Sequence, residues 1–244
     1  MKITQLLVAT SFIACSGTQA AYVLVNGNFE DATGTFPNGW TPGGTITDPA
    51  GAGFADGDRD AFMDATESIT QDFSGSTTVA TAENYNFQLD FAFRTSSLST
   101  TTEQRIRLRD HNNAGDLITL GFETAATGGG TALSYFNGAA WTTAIDTAMA
   151  TGTTYYFRVN GYDLDLGSRY YTVGLSTDGT NFTTTGNITL FHDNSGGAIG
   201  RDFETIRFES GGSQMRIDAV SIIPEPSAAL LGGLGLLVLM RRRR

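Results

Sequence analysis

Between Ala21 and Ile222 the apolar residues recur at every second position over short runs, without the three-and-four spacing of an amphipathic helix. The run "YNFQLDFAFR" sets Phe87, Leu89, Phe91 and Phe93 against Gln88, Asp90 and Arg94. "QRIRLRD" sets Ile106 and Leu108 against Arg105, Arg107 and Arg109, and "TYYFRVN" sets Tyr155, Phe157 and Val159 against Tyr156, Arg158 and Asn160. "RYYTVGL" offers Tyr171, Val173 and Leu175 as a further apolar face. A period of two puts each set on one side of a pleated strand, so these runs predict antiparallel sheets with one apolar and one wet face. Between them stand Asn112-Asn113-Ala114-Gly115, Phe136-Asn137-Gly138 and Thr177-Asp178-Gly179, whose Asn/Asp-Gly chemistry supplies the positive φ of tight hairpins. Two sheets packed through their apolar faces follow, an all-β sandwich forming one domain over residues 21–222.

The two ends break this pattern. Lys2 precedes an apolar run from Leu6 to Ala14 and then small residues to Ala20, the layout of a signal peptide over residues 1–20 with cleavage after Ala20. Reading Cys15 as a lipoprotein acceptor is the alternative, which Phe12 and Ile13 fit poorly. Cys15 is the single cysteine and leaves with the signal peptide, so the exported chain forms no disulfide of its own. At the other end, Ser227 to Met240 carries no charge and is followed by Arg241, Arg242, Arg243 and Arg244. A helix of about 14 residues spans roughly 21 Å, short of the roughly 30 Å of bilayer hydrocarbon. The arginines hold their end on the cytoplasmic side, which leaves the domain outside.

Pro224-Glu225-Pro226, the apolar segment and the arginine block stand in that order over residues 223–244, and the arrangement resembles the PEP-CTERM sorting signal of Gram-negative bacteria. The resemblance implies a short C-terminal transmembrane helix retained briefly in the inner membrane, recognition by an exosortase, and removal of the tail near the motif. Signal peptidase is the partner at the N-terminus, and the cell surface or extracellular matrix is the destination. A permanent membrane anchor is the other reading of the tail. Both prolines fix φ and favour extended backbone before them, making the motif a stiff connector that a protease can grip.

The opening "LVNGNFEDATGTFPNGWT" and the close "MRIDAVSI" resemble the first and last strands of jelly-roll carbohydrate-binding domains. The segments "LITLGFE", "LSYFNGAAW" and "YTVGLSTDGTNF" resemble the concanavalin-like and laminin-G sandwich. Together they imply a jelly-roll antiparallel β-sandwich, with the superfamily open between the two. The first resemblance further implies a structural Ca²⁺ joining the terminal strands, held by Glu30 and Asp218. A second candidate cation site is "DGDRDAFMDATE", where Asp56, Asp58, Asp60, Asp64 and Glu67 follow EF-hand spacing, although Ala61 stands where that loop needs glycine.

Charge narrows the partners. Removing both ends leaves ten basic residues, all arginine, against 24 acids, a net charge of about −14. Phosphate backbones need a basic surface, so nucleic acid is excluded as a partner. Neutral sugars and divalent cations fit. Trp40 and Trp141, with Tyr135, Tyr156, Tyr162 and Tyr170 as neighbours, are the candidate stacking platforms for polysaccharide, closure of the ends of the core being the other reading of both tryptophans. Arg105, Arg107 and Arg109 form a stripe that could meet an acidic polysaccharide or pair with acids on neighbouring strands. His111 and His192 lie in no nucleophile or metal-water motif, and the Glu-x-Asp-x-x-Glu run of concanavalin-like glucanases is absent. The expectation is a non-enzymatic exported surface or matrix protein, with a lectin-like polysaccharide-binding module as the alternative and a glycan hydrolase behind it.

Overall fold

The alternating runs become strands. We describe residues 24–33, 36–44, 53–64, 66–72, 86–95, 104–109, 116–124, 131–162, 169–190 and 205–224 of a computed structural model. Their strands, in chain order, are β1 (Ala32–Thr33), β2 (Phe36–Pro37), β3 (Thr41–Gly43), β4 (Ala61–Met63), β5 (Ser68–Asp72), β6 (Phe87–Arg94), β7 (Gln104–Arg109) and β8 (Asp116–Thr124). Then come β9 (Thr131–Phe136), β10 (Trp141–Ile145), β11 (Thr154–Tyr162), β12 (Tyr170–Ser176), β13 (Thr183–Thr184), β14 (Ile188–Thr189), β15 (Thr205–Glu209) and β16 (Met215–Pro224). No helix occurs among the described residues.

Two antiparallel sheets hold these strands. The first runs β10-β9-β8-β7-β15-β5-β3 and the second β13-β12-β11-β6-β16-β4, with β14 also on β12 and β1–β2 as a separate ribbon. The last two strands enter the interiors of the sheets: β15 lies between β7 and β5, and β16 between β6 and β4.

The period of two is what packs the sheets together. Phe87, Leu89, Phe91 and Phe93 of β6, Phe157 and Val159 of β11 and Val173 of β12 are essentially inaccessible, as are Ile106, Leu108, Leu120, Ile206 and Phe208 of the first sheet. Aromatic rings lock the layers: Phe93 stacks on Phe122 at 4.3 Å and Phe91 meets Phe208 edge-on at 5.4 Å. Each such ring pair adds about 0.5–1.5 kcal/mol to its area burial.

Two of the expected turns are present. Gly138 (φ 96°) closes the β9–β10 hairpin, where Asn137 Oδ1 accepts from the Ala139 and Ala140 amides. Gly179 (φ 73°) follows Asp178, whose carboxylate accepts from the Thr180 and Asn181 amides. The 112–115 turn, His111, His192, the signal peptide with Cys15, Glu225, Pro226, the apolar tail and Arg241 to Arg244 lie outside the described residues. At the C-terminal boundary, β16 runs past Ile222, pairing Ile223 with Gln88 and Pro224 with Phe87. The first proline of the tail motif therefore ends a strand of the sandwich.

Candidate functional site

The alternation that buries Phe157 and Val159 turns Tyr156, Arg158 and Asn160 to the outer face of the second sheet. The register decides their neighbours. Arg158 stands between Asp90 of β6 and Gly174 of β12, Asn160 between Gln88 and Thr172, and Tyr162 opposite Tyr170. Arg158 donates from Nε and Nη2 to the two oxygens of Asp90, at 2.9 Å each, and Gln88 Nε2 donates to Asp90 Oδ2 at 2.8 Å. The bond to Asp90 raises the pKa of Arg158 further, so its charge is permanent. Phe182 covers the guanidinium at 4.4 Å from the ring centroid. Asn160 Nδ2 reaches Thr172 Oγ1 at 3.5 Å, while its Oδ1 is buried without a hydrogen-bond partner among the described residues. Tyr162 and Tyr170 stack at 4.9 Å. Fixed amides, one guanidinium and half-buried ring faces on neighbouring strands are the groups that orient hydroxyl-rich ligands.

This face is bounded on both sides. On β12, Phe182 lies against Gly174, and Gly179 of the 177–182 turn lies against the Tyr156 ring. On β16, Asp218 points outward opposite Ala92, yet both are fully buried, because the loop through residues 53–58 lies over them. The amides of Phe54, Ala55 and Asp56 all donate to Asp218 Oδ2, at 3.1, 2.8 and 3.1 Å. Further along the loop, the Asp58 and Arg59 amides donate to Glu30 Oε1 at 2.7 and 2.8 Å. Gly57 sits at φ 81° against the Glu30 carboxylate, where a Cβ would clash. The strip over β6 and β11 lies between these two walls.

The other expected platforms are distributed differently. Trp40 is a correction: it is 5% exposed, packs on Phe29 at 5.2 Å and Phe208 at 6.2 Å, and donates from Nε1 to the Asn26 carbonyl. It fills the core and offers no face to a sugar. Tyr135 is also drawn inward, packed against the core near Tyr171, whose phenol is pushed well above its ordinary pKa by burial first and Tyr135 second. Trp141 lies partly exposed on the outer face of the first sheet, its ring over Gly121 and 5.7 Å from both Phe136 and the Arg105 guanidinium carbon. The structure thus separates Trp141 from the face on the second sheet. On the stripe beside it, Arg107 pairs with Asp116 and Glu209 at 3.0 Å each, and Arg109 pairs with Asp116 at 2.9 Å. Arg207 of β15 joins Glu209 at 2.8 Å, so this face is a ladder of ion pairs.

The expected cation sites do not fit a cation. Calcium wants several convergent oxygens, but the loop facing Glu30 and Asp218 presents amide N–H groups to the oxygens a metal would need. The EF-hand spacing also dissolves. Ala61–Met63 is a strand, Asp56 and Asp58 are exposed, and Asp60 is buried against Arg216, 2.7 Å from its Nε. Glu67 caps its own turn by accepting from the Asp64 amide at 2.6 Å. Among the described residues no three His, Cys, Asp or Glu side chains group as metal ligands.

Sequence reasoning placed Gln88, Asp90, Arg158 and Asn160 on wet strand faces without joining them. The joining signal is the register of β6 on β11, which no single run of sequence carries.

No family model matches the chain, and no curated protein matches it. Solved structures do share its fold. One is a GH43 glycoside hydrolase engineered to display both endo-xylanase and exo-arabinofuranosidase activity, with a TM-score of 0.52 at 12% identity over 84% of this chain and 42% of that one. Another is a GH43 protein from Bacillus licheniformis, with a TM-score of 0.52 at 9% identity over 81% of this chain and 39% of that one. Domain 4 of an extracellular GH43 arabinanase from Geobacillus stearothermophilus, solved with arabinotriose, matches with a TM-score of 0.43 at 15% identity over 82% of this chain and 90% of that domain. The chain spans about two fifths of the first two hydrolases, and at these identities the likeness is one of fold. It corrects the expectation of a non-enzymatic chain: this sandwich is one that glycoside hydrolases carry, so lacking a recognisable catalytic motif does not set the chain apart from carbohydrate-active enzymes.

Proposed function

We propose that the chain is an exported carbohydrate-binding protein of the cell surface or extracellular matrix, built on a jelly-roll sandwich that holds polysaccharide on the outer face of its second sheet. The observation that carries this is the contiguous strip Gln88, Asp90, Arg158 and Asn160 with the stacked Tyr162 and Tyr170, bounded by the 53–58 loop and Phe182. Ring faces supply apolar stacking, while the amides and guanidinium supply directional bonds to hydroxyls. The mature net charge of about −14 favours neutral over acidic glycans. Delivery follows the order of tail elements: signal peptidase removes residues 1–20, the apolar helix pauses in the inner membrane, and an exosortase cuts near Pro224-Glu225-Pro226.

Affinity electrophoresis against a panel of neutral and acidic polysaccharides tests the site. Arg158→Ala and Tyr162→Ala, each checked for folding by circular dichroism, are expected to weaken retardation about tenfold, whereas Trp141→Ala on the opposite sheet leaves it intact. The reverse pattern moves the site to Trp141. Mass spectrometry of the released protein tests the sorting, and a released form still ending at Arg244 would sink it.

The fold likeness to glycoside hydrolases favours a second reading, in which the same strip acts on glycan as well as holding it. Its test is release of new chain ends from the polysaccharide that binds best. Release that survives both strip variants would place the chemistry elsewhere.

A further inference from the structure

The first and last strands of carbohydrate-binding jelly rolls that this chain resembles imply a cation between Glu30 and Asp218, and the residues present point to a different device. We infer that the first and last described segments of the sandwich, through Glu30 and Asp218, are clasped by carboxylates seated in backbone amides of the 53–59 loop, and that no divalent cation takes part. This inference stands independently of the glycan reading.

Three consecutive amides, Phe54, Ala55 and Asp56, converge on Asp218 Oδ2, and two more, Asp58 and Arg59, converge on Glu30 Oε1. Successive N–H groups curled around one point form a concavity of positive partial charge, the backbone's own anion site. Here the anions are supplied by the chain, from Glu30, 28 and 29 residues before the two amides it meets, and from Asp218, 162 to 164 residues after the three that it meets. A calcium ion seated on the same oxygens would face those N–H groups at close range. It would need the loop to turn its carbonyls inward, and one of them, at Asp58, already accepts from the Gly53 amide at 3.0 Å within the loop. The other oxygen of Asp218 is also taken, by the Ala219 amide at 2.7 Å. Ala219 sits at φ 51° in the β16 irregularity, and the next amide, Val220, donates to the Gly27 carbonyl at 2.8 Å. Gly27 lies so close to Val220 that a side chain there has no room. The N-terminal segment, the loop and β16 therefore form one hydrogen-bonded unit without an ion.

The two devices differ in what they require of the side chain at 218. A cation needs its charge, whereas the amides need acceptor oxygens, of which asparagine keeps one. The melting temperature of the purified chain is therefore measured with excess EDTA, with added CaCl₂, and in the variants Asp218→Asn and Asp218→Ala. The clasp predicts no shift with chelator or calcium, a fall of about 4 °C or more for Asp218→Ala, which takes the acceptor from the Phe54, Ala55 and Asp56 amides, and a melting temperature for Asp218→Asn between those of Asp218→Ala and the parent, because asparagine keeps one of the two acceptor oxygens. A fall on chelation that calcium reverses overturns the inference, because a ligand of the native state must stabilise it. So does an Asp218→Asn variant as damaged as Asp218→Ala, or an Asp218→Ala variant that melts with the parent.

Discussion

Asp178 shows how much one exposed carboxylate can organise. It accepts from the Asn181 and Thr180 amides at 2.8 Å, from the Asn181 side chain at 2.7 Å and from the Ser176 hydroxyl, and these bonds hold its pKa well below the ordinary 3.8. A depressed acid stabilises the fold above its unfolded value and loses that contribution as pH falls below it. Parent and Asp178→Ala are thus expected to differ in melting temperature at neutral pH and to converge as pH drops below about 4, in thermal melts across a pH series. Asp218 has the opposite sign. Its burial raises the pKa, against the pull of the backbone bonds, so its contribution is greatest below 3.8 and falls as pH rises through the folded value. Trp40 makes the third residue-scale case: Trp40→Ala should cost about 3–5 kcal/mol in urea unfolding, the range for emptying a large core site. The sequence left Trp40 open between a sugar platform and a core plug, because Phe29 and Phe208, the rings that enclose it, are 179 positions apart in the chain.

Strands carried their own faces legibly. The runs at 87–94, 104–109 and 154–160 alternate as written, since the pleat converts a period of two directly into inside and outside. Pairing was not legible. That Arg105, Arg107 and Arg109 pair with acids on neighbouring strands was readable, but not with which: only the registers of β8 and β15 bring Asp116 and Glu209 against the stripe. Each of those acids serves two arginines, so the ladder acts as a network. Arg107→Gln is expected to cost about 1 kcal/mol in low salt, with part of the loss screened at about 1 M salt, measured by urea unfolding at both ionic strengths. The same limit applied to the candidate site: Gln88 and Asn160 are 72 positions apart, and only the β6–β11 register makes them neighbours.

At the scale of the molecule, the sequence placed the domain boundary at Ile222, and β16 carries it to Pro224. A chain ending at Pro224 is expected to melt at a higher temperature than one ending at Ile222, which forfeits the pairs of Ile223 with Gln88 and Pro224 with Phe87. Differential scanning calorimetry of the two truncations reads the difference directly. The extension of β16 to Pro224 bears on how the sandwich would carry a load. A pull applied at Pro224 along β16 would act on a strand flanked by β6 and β4 and antiparallel to both. Ladder bonds lie across the strands, so such a pull shears them together instead of unzipping them singly. The candidate face rests on β6, the neighbour that β16 grips over most of its length. Tension between a ligand on that face and Pro224 would therefore run through a short path of two adjacent strands, β6 and β16.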